Sequence, residues 1–468
     1  MNIVWFRRDL RTLDHYPLFK ASTFGEVLPL YIIEPTVWKK GNLSARHYEY
    51  VKESLLDLAG SIEELGGTLF IAYGDAEEIF ARIFEENGPF NLFFHSGAGF
   101  PKPDFFKWLD DRGVYYVDYP SSDIEGNQPI TFKKWLAEIS HMKVTTPIKI
   151  NMANRIPDWL SSSSSILNRV QPEGEFIRFG QAGGEGNAIE TLESFLSDRH
   201  VKYFSAKNSP LKESLYSSRL SPYLAWGNIS LKFVVLGTVK LLEENPPLSQ
   251  QKALDAFLRN LYKRFLLIKT DLGDRQANSP VLWEGKKQQK DYESLKEGRT
   301  GIPIIDASIT CLMKTGWLPF VLRRLVAFFA INCVGLEKSR VSRLLGSLSL
   351  DYDPPIHEDQ IEMAAALKGN SNYFHIVRAG RKINPDGSFI KRFLPELEGL
   401  PERYIHEPWL FPGFFRLGYP APIIDPDQCY KSLSCQSDVL DKKKDLARST
   451  ENDEDSHGQL TFNLFSEF

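Results

Sequence analysis

The chain has 468 residues, enough for two or three domains with cores of their own. Its 42% hydrophobic and 25% charged residues are typical of a globular protein, and no apolar run approaches the roughly 20 residues of a membrane span. The four cysteines match no metal-ligand spacing, and a net charge of −4 does not indicate a basic protein. We expect a cytoplasmic monomer without a signal peptide, membrane contact or metal site.

Short β-like runs alternate with helical patterns in the first part of the chain. Buried strands are predicted over residues 3–6, 27–33, 68–72, 91–94 and 114–117. Residues 46–65 carry apolar side chains at a helical period between the second and third strands. Strand–helix–strand repetition is typical of a parallel sheet with helices on both faces. We therefore predict an α/β domain over residues 1–125.

The rest of the chain has three further parts. Residues 126–190 contain a serine run and a glycine-rich string, which predict an interdomain linker. Residues 191–425 are mostly helical in pattern, with a nearly all-apolar helix predicted over residues 318–334, and they indicate an all-α domain. Residues 426–468 are polar and charged, so we predict a disordered tail.

Five blocks of sequence carry more information than the element pattern. They are Trp5–Arg11 with Asp14, Ser217–Ser230, Gly298–Ala307 with Thr315–Trp317, Asn384–Leu397, and Tyr419–Asp425. In this order they resemble the signature segments of the photolyase/cryptochrome family over residues 1–425. The resemblance implies a photolyase-type, Rossmann-like N-terminal α/β domain and an all-α C-terminal domain that binds FAD.

The second block contains the predicted phosphate-binding segment. It runs through Ser217, Ser218, Arg219, Leu220 and Ser221. Small hydroxyls and free backbone N–H groups at the start of a helix can hold a pyrophosphate, and Arg219 can add charge. Taken alone, the string equally predicts an ordinary helix N-cap. The resemblance implies that it binds the phosphates of FAD.

The segment from Asp351 to His357 departs from the common family pattern, in which two acids frame a glycine and an asparagine lies over the flavin. Here the acids are Asp351 and Asp353, and His357 takes the place of the asparagine. This variant resembles a small bacterial subgroup of short photolyase-like proteins, which carry Asp-Tyr-Glu-Pro-Gly-Ile-His. The resemblance implies that both aspartates, Arg264 and Arg323 bind the cofactor, and a buried arginine needs a carboxylate partner.

His357 is expected to face the flavin nitrogen that gains a proton on reduction, where its charge could tune the cofactor. The alternative is a structural histidine bonded to the backbone.

Three places at which the family's repair enzymes contact the lesion are changed. Asn260 and Lys263 replace a glutamate and a tryptophan, and Phe320 replaces an asparagine. Asn260 can bond a pyrimidine edge, Lys263 can reach a phosphate, and Phe320 offers a ring face to an extruded dimer. The predicted residues are His357, Asn260, Phe320 and Trp317 for catalysis, and Lys263, Arg381 and Lys382 for DNA binding. Solvated surface charge is the alternative for the basic residues.

The electron supply and the antenna also differ from the family pattern. Ile361 and Met363 stand where tryptophans of the family's electron-transfer chain usually lie, so Tyr352 and Trp317 become the first alternative relays. Residues 95–100 do not match the family's antenna segment, so a second chromophore remains unassigned.

The resemblance implies a deoxyribodipyrimidine photolyase, which repairs cyclobutane pyrimidine dimers in damaged DNA by light-driven electron transfer from reduced FAD. The changed lesion contacts favour the alternative, a cryptochrome-like blue-light photoreceptor without repair activity.

One more partner is predicted from the last residues. Gln459–Phe465 resembles the short peptide with which bacterial DNA enzymes bind the sliding clamp. Leu460, Leu464 and Phe465 would fill apolar pockets, while Gln459 would fix the register. The alternative is that the tail covers an apolar groove of its own helical domain.

Overall fold

A computed structural model describes residues 1–39, 42–97, 103–120, 130–162, 164–206, 209–270, 285–367 and 371–436. Among the helices of these ranges, none has the length and apolar character required to cross a membrane.

The N-terminal part is built on a parallel sheet. Its strands are β1 (Asn2–Phe6), β2 (Val27–Ile33), β3 (Phe70–Tyr73), β4 (Asn91–Ser96) and β5 (Tyr115–Pro120), and all five predicted strands are present. The order across the sheet is β3-β2-β1-β4-β5. The chain thus steps outward from β1 to β3 and then returns to the other side of β1. In sheets of this kind the crevice at the carboxyl ends of the two central strands is where ligands bind.

Helices cover the sheet and form the rest of the molecule. Around the sheet and in the segment that follows it lie α1 (Tyr16–Phe24), α2 (Pro35–Trp38), α3 (Ala45–Glu64), α4 (Ala76–Asn87), α5 (Pro103–Asp111) and α6 (Phe132–Ser140). The helical part contains α7 (Glu185–Ser197), α8 (Tyr203–Ala206), α9 (Pro210–Tyr216), α10 (Ser221–Trp226), α11 (Leu231–Glu243), α12 (Leu248–Thr270), α13 (Lys286–Lys296), α14 (Pro303–Thr315), α15 (Phe320–Phe328), α16 (Lys338–Leu348), α17 (Pro354–Ala365), α18 (Ile376–Ile383) and α19 (Ser388–Phe393). A π-helical turn, Phe329–Cys333, continues α15.

The alternation of side chains along β1 divides the core of the N-terminal part. Ile3 and Trp5 pack on one face of the sheet, and Val4 and Phe6 pack on the other. The second of these clusters continues into the helical part as far as Tyr352. One hydrophobic cluster therefore joins the sheet to α7, α10, α11 and α12, while the later helices pack around a separate cluster.

A close backbone contact joins the loop after β1 to the turn after α10. Gly227 has a φ of 70°, and a Cβ atom at this position would lie 2.1 Å from the carbonyl oxygen of Arg8. The Nη1 of Arg11 donates to the carbonyl oxygen of Gly227 at 3.1 Å. Only glycine fits here, and the contact brings the first and second sequence blocks together.

The segment predicted as a linker packs on both parts of the molecule. Its helix α6 buries Trp135, whose ring centroid lies 5.3 Å from that of Tyr262 in α12. Further along, Met152 forms a parallel bridge with Val27 at the start of β2. The segment thus fixes α12 relative to the sheet.

The disorder predicted for residues 426–468 is wrong for the first eleven of them. Residues 426–436 form a helix, α20. Cys429 packs against the core of the helical part, and Leu433 is only 2% exposed. Two apolar side chains four residues apart share one helix face, and this contact with a distant core offsets the polar composition. Gln459–Phe465 lies outside the described residues.

Candidate functional site

Two aspartates between α16 and α17 bind two arginines from different helices. Arg323 of α15 donates to both oxygens of Asp351, at 3.0 and 3.2 Å. Arg264 of α12 donates to Asp353 and, at 3.0 Å, to the carbonyl oxygen of Leu224. Both pairs are largely buried. The pairing of Arg323 follows the expectation that a buried arginine has a carboxylate partner.

The carboxyl of Asp351 is held in its charged form. Burial alone would raise its pKa, but Arg323, a hydrogen bond with Ser221 and the neighbouring His357 together lower the pKa below its usual value. The hydroxyl of Ser221 connects the aspartate to the predicted phosphate-binding segment. A buried, charge-balanced pair is therefore maintained inside the helical part.

His357 lies in the first turn of α17, beside this pair. Its Nε2 atom is 2.9 Å from the carbonyl oxygen of Ser342, and its ring is 5.1 Å from that of Tyr352. Burial, followed by the charge of Arg323, lowers the pKa of His357 to about 4. The imidazole is therefore neutral near pH 7.

The predicted phosphate-binding segment forms a turn immediately before α10. Arg219 has a φ of 58°, a left-handed conformation that is uncommon for a residue with a side chain. Leu220 is buried, and the hydroxyl of Ser218 accepts from its N–H at 3.5 Å. The guanidinium of Arg219 lies 4.0 Å from the ring centroid of Trp317.

Several buried polar atoms in this region have no hydrogen-bond partner among the described residues. They include Ser217 Oγ, Arg323 Nε and His357 Nδ1. Buried polar atoms are nearly always satisfied, and these three, gathered around the paired aspartates and the phosphate-binding segment, are free to bind a ligand. A hydroxyl, a guanidinium donor and an imidazole acceptor suit a ligand with both phosphates and a ring that carries N–H and carbonyl groups.

Two predicted lesion contacts are exposed one helical turn before the buried arginines. Asn260 precedes Arg264 on α12, and Phe320 precedes Arg323 on α15. Asn260 is exposed, and the ring of Phe320 is 38% exposed. Each of these two exposed side chains therefore lies on the same helix as one of the site's arginines, one turn nearer the start of that helix.

The predicted DNA-binding cations lie in different surroundings. Lys263 is half-buried on α12, and burial lowers its pKa. Arg381 and Lys382 are exposed at the end of α18, where Arg381 forms an ion pair with Glu407. The structure brings Arg381 and Lys382 together, while Lys263 belongs to the helix of Asn260 and Arg264.

A polar cluster that the sequence did not predict lies at the crevice between β1 and β4. Asp9 Oδ2 is 2.8 Å from His15 Nε2 and 2.8 Å from His95 Nδ1. Such a group can hold a metal ion, but the N–H of Leu18 donates to His15 Nδ1 at 3.1 Å. The proton of neutral His15 is therefore on Nε2, where it bonds Asp9 instead of leaving a lone pair for a metal. The sequence could have indicated this cluster, because Asp9 comes just after β1 and His95 stands at the end of β4, and ligands bind at the carboxyl ends of such strands.

Comparison with known proteins assigns the chain to a family. The family model described as DNA photolyase matches residues 2–102, and the model for the FAD binding domain of DNA photolyase matches residues 254–436. The chain belongs to the photolyase/cryptochrome family. FAD is accordingly the cofactor of this photolyase/cryptochrome chain, and the unpartnered atoms of Ser217, Arg323 and His357 fit it.

Relatives of this photolyase/cryptochrome chain have names of both kinds. It is 26% identical over 479 residues to Cryptochrome-2 of Gallus gallus, an alignment that covers 91% of this chain and 80% of that protein. It is also 26% identical over 481 residues to the deoxyribodipyrimidine photo-lyase of Agrobacterium fabrum, covering 90% of this chain and 94% of that protein. The crystal structure of a bacterial class III photolyase from Agrobacterium tumefaciens has the same fold, with a TM-score of 0.76 at 24% identity over 94% of this chain and 98% of that one.

Proposed function

We propose that this chain is a deoxyribodipyrimidine photolyase, which repairs cyclobutane pyrimidine dimers in DNA. The observation that carries the proposal is the position of Asn260 and Phe320, each exposed one helical turn before an arginine bound to Asp353 or Asp351. A dimer extruded from the duplex would meet these side chains directly outside the cofactor site.

When bound, reduced and excited by blue light, FAD supplies the electron that opens the cyclobutane ring. The residues of the chain position the lesion. The amide nitrogen of Asn260 donates to the hydroxyl of Tyr203 at 2.9 Å, which orients the amide and leaves its Oδ1 atom to accept from the N3–H of a pyrimidine. The ring of Phe320 packs against the dimer.

The basic residues supply the contacts with the DNA backbone in this proposal. Lys382 is exposed, and Lys263 extends from the helix of Asn260. The ion pair with Glu407 orients the guanidinium of Arg381 but also partly neutralises its charge. These groups would hold phosphates on either side of the lesion and carry no sequence information.

The bacterial subgroup of short photolyase-like proteins remains the proposed assignment within the family. It rests on Asp351, Asp353 and His357, which reproduce the acids and the histidine of that subgroup's motif.

A cryptochrome-like photoreceptor is the second candidate. It is favoured by Lys263, which cannot stack on a base as the family's tryptophan does, and by the similarity to a cryptochrome.

One experiment separates the two functions. The protein, with its FAD chemically reduced, is mixed with an oligonucleotide that contains one thymine dimer and is exposed to blue light or kept dark. We expect the dimer to disappear only in the light, as measured by chromatography of the oligonucleotide. Persistence of the dimer, together with equal affinity for damaged and intact strands, would support the photoreceptor.

A further inference from the structure

A row of four buried rings begins beside His357 and ends in the α/β part. Its first ring, that of Tyr352, lies 5.1 Å from the ring of His357. The ring centroid of His47 is 6.4 Å from that of Tyr352 and 6.1 Å from that of Trp226. Trp226 of α10 stacks on Trp38 of α2, with the two rings 6.2 Å apart and inclined by 6°. This aromatic row crosses from the helical part into the α/β part.

Trp38 is the end of the aromatic row that lies nearest to solvent. It is 6% exposed, the largest exposed fraction of the four rings. It belongs to a helix of only four residues, in which Thr36 is exposed, and Lys39, which follows the helix, is exposed as well. A small molecule in solution can therefore approach Trp38 more closely than it can approach Tyr352.

The positive charges along the aromatic row are placed unevenly. The guanidinium of Arg8 lies 4.3 Å from the ring centroid of Trp226 and disfavours a radical cation on that indole. Within the described part of the chain, no cation stacks on Trp38. Burial lowers the pKa of His47 to about 3, so that ring adds no charge. An electron vacancy is therefore more stable on Trp38 than on Trp226.

Tyr352, at the inner end of the aromatic row, is built to keep its phenolic proton. Its hydroxyl accepts from Asn42 Nδ2 at 2.6 Å, and the described residues provide no acceptor for the proton of that hydroxyl. Burial also raises the pKa of Tyr352. A vacancy on Tyr352 is therefore not trapped by loss of the proton, and it passes to an indole, which is more easily oxidised than a protonated phenol.

We propose that Tyr352, Trp226 and Trp38 form an electron-transfer path that reduces the flavin of FAD in the light. Tyr352 gives one electron to light-excited, oxidised FAD, Trp226 replaces that electron, and Trp38 replaces the electron of Trp226. No proton moves in these steps, and the vacancy comes to rest on Trp38. A thiol in solution then returns one electron to Trp38 and releases its proton to water. The path would serve a photolyase and a photoreceptor alike, so it does not depend on DNA repair.

The test uses the full-length, FAD-loaded protein and transient absorption after a flash of blue light, which records the tryptophan radical itself. Trp38→Phe removes the last oxidisable ring of the path and should abolish the long-lived tryptophan radical, while the FAD content stays unchanged. Trp38→Tyr should give a long-lived tyrosyl radical in its place. Trp159→Phe makes the same change in the α/β part, at a ring that lies against Arg82 and contacts no ring of the aromatic row, and should retain the original signal.

Two results would overturn the proposal. An unchanged long-lived tryptophan radical in Trp38→Phe would place the vacancy on another ring. Equal loss of the radical in Trp38→Phe and Trp159→Phe would show that the loss is not specific to the path. If Trp38→Phe does not retain FAD, Trp38→Tyr decides the question, because a long-lived tryptophan radical in that variant would exclude Trp38 as the resting place of the vacancy.

Discussion

His357 donates a hydrogen bond from Nε2 to the carbonyl oxygen of Ser342 at 2.9 Å, and this contact fixes the position of its proton. A carbonyl oxygen only accepts, so Nε2 carries the hydrogen and the neutral ring has a lone pair on Nδ1. Nδ1 is buried and has no partner among the described residues. The ring therefore offers an acceptor, which suits a cofactor nitrogen in its protonated, reduced form.

The first prediction is a loss of stability below neutral pH. Burial lowers the pKa of His357 from 6.5 to about 4 and that of His47 from 6.5 to about 3. The folded-state pKa lies below the unfolded one, so the unfolded chain takes up the extra proton as pH falls from 6.5 toward 4. Each imidazole contributes about 2 kcal/mol of stability at pH 7 that is lost by pH 5.

Urea unfolding at pH 7 and pH 5 measures this effect. His357→Asn should reduce the difference in the free energy of unfolding between the two pH values, while His141→Asn, at an exposed position, should not. An unchanged pH dependence in His357→Asn would show that His357 is not the titrating group.

The second prediction concerns the pair formed by Arg323 and Asp351. Arg323→Ala leaves the Asp351 carboxylate buried without its guanidinium and should lower the free energy of unfolding by about 3–5 kcal/mol. The double variant Arg323→Met with Asp351→Asn removes both charges and should recover most of this loss, yet still purify with little FAD. Full FAD content in the double variant would show that the pair serves stability alone.

The third prediction separates lesion contact from cofactor binding. Phe320→Ala should weaken binding to a dimer-containing oligonucleotide by roughly tenfold, the value of one lost stacking contact, and should leave the FAD content unchanged. Phe415→Ala is the matched control, since that ring is 78% exposed outside the proposed lesion contacts. Fluorescence anisotropy measures both. Equal affinities of the two variants for the dimer-containing oligonucleotide would show that Phe320 does not contact the lesion.

The fourth prediction ranks the two proposed electron relays. The guanidinium of Arg219 lies 4.0 Å from the ring of Trp317, and its charge disfavours a radical cation on that ring. The guanidinium of Arg8, which acts on Tyr352, stacks instead on the ring of Trp226 at 4.3 Å. The hydroxyl of Tyr352 accepts from Asn42 at 2.6 Å, and its ring lies beside His357. Tyr352→Phe should therefore slow photoreduction in blue light with a thiol donor, measured by flavin absorbance, more than Trp317→Phe does. The opposite order would identify Trp317 as the relay.

The fifth prediction concerns the predicted clamp-binding peptide. A labelled peptide of residues 459–468 should bind a bacterial sliding clamp with micromolar affinity, and replacing Leu464 and Phe465 with alanine should abolish binding by emptying the apolar pockets. Fluorescence anisotropy measures both peptides. Binding that is indifferent to the alanines would be non-specific.

The strands and the Arg323 pair could be predicted because their signals are local. Ile3 to Phe6 is an uninterrupted apolar run, which parallel strands buried on both faces require. Arg323 lies between Leu322 and Leu325 in an apolar helix, so a carboxylate partner follows from the cost of burying a lone charge.

Other features depend on contacts that are distant in sequence. His95 binds Asp9 across 86 residues, and only the strand order brings them together. The stacking of the Arg219 guanidinium on the ring of Trp317 likewise depends on how two segments that are distant in sequence pack together. Helix α20 forms because Leu433 meets a core built from residues far upstream, which the composition of the segment does not reveal.

The contact of Gly227 with Arg8 limits how independently the two halves can behave. A side chain has no room at that point, and one hydrophobic cluster continues from the sheet into α7, α10, α11 and α12. Neither half therefore buries all of its apolar side chains without the other. Cleavage of the backbone between residues 126 and 190 would therefore leave two fragments that remain associated. An α/β domain transplanted from a distant relative would need a matching backbone path at Arg8 before its partner could fold against it.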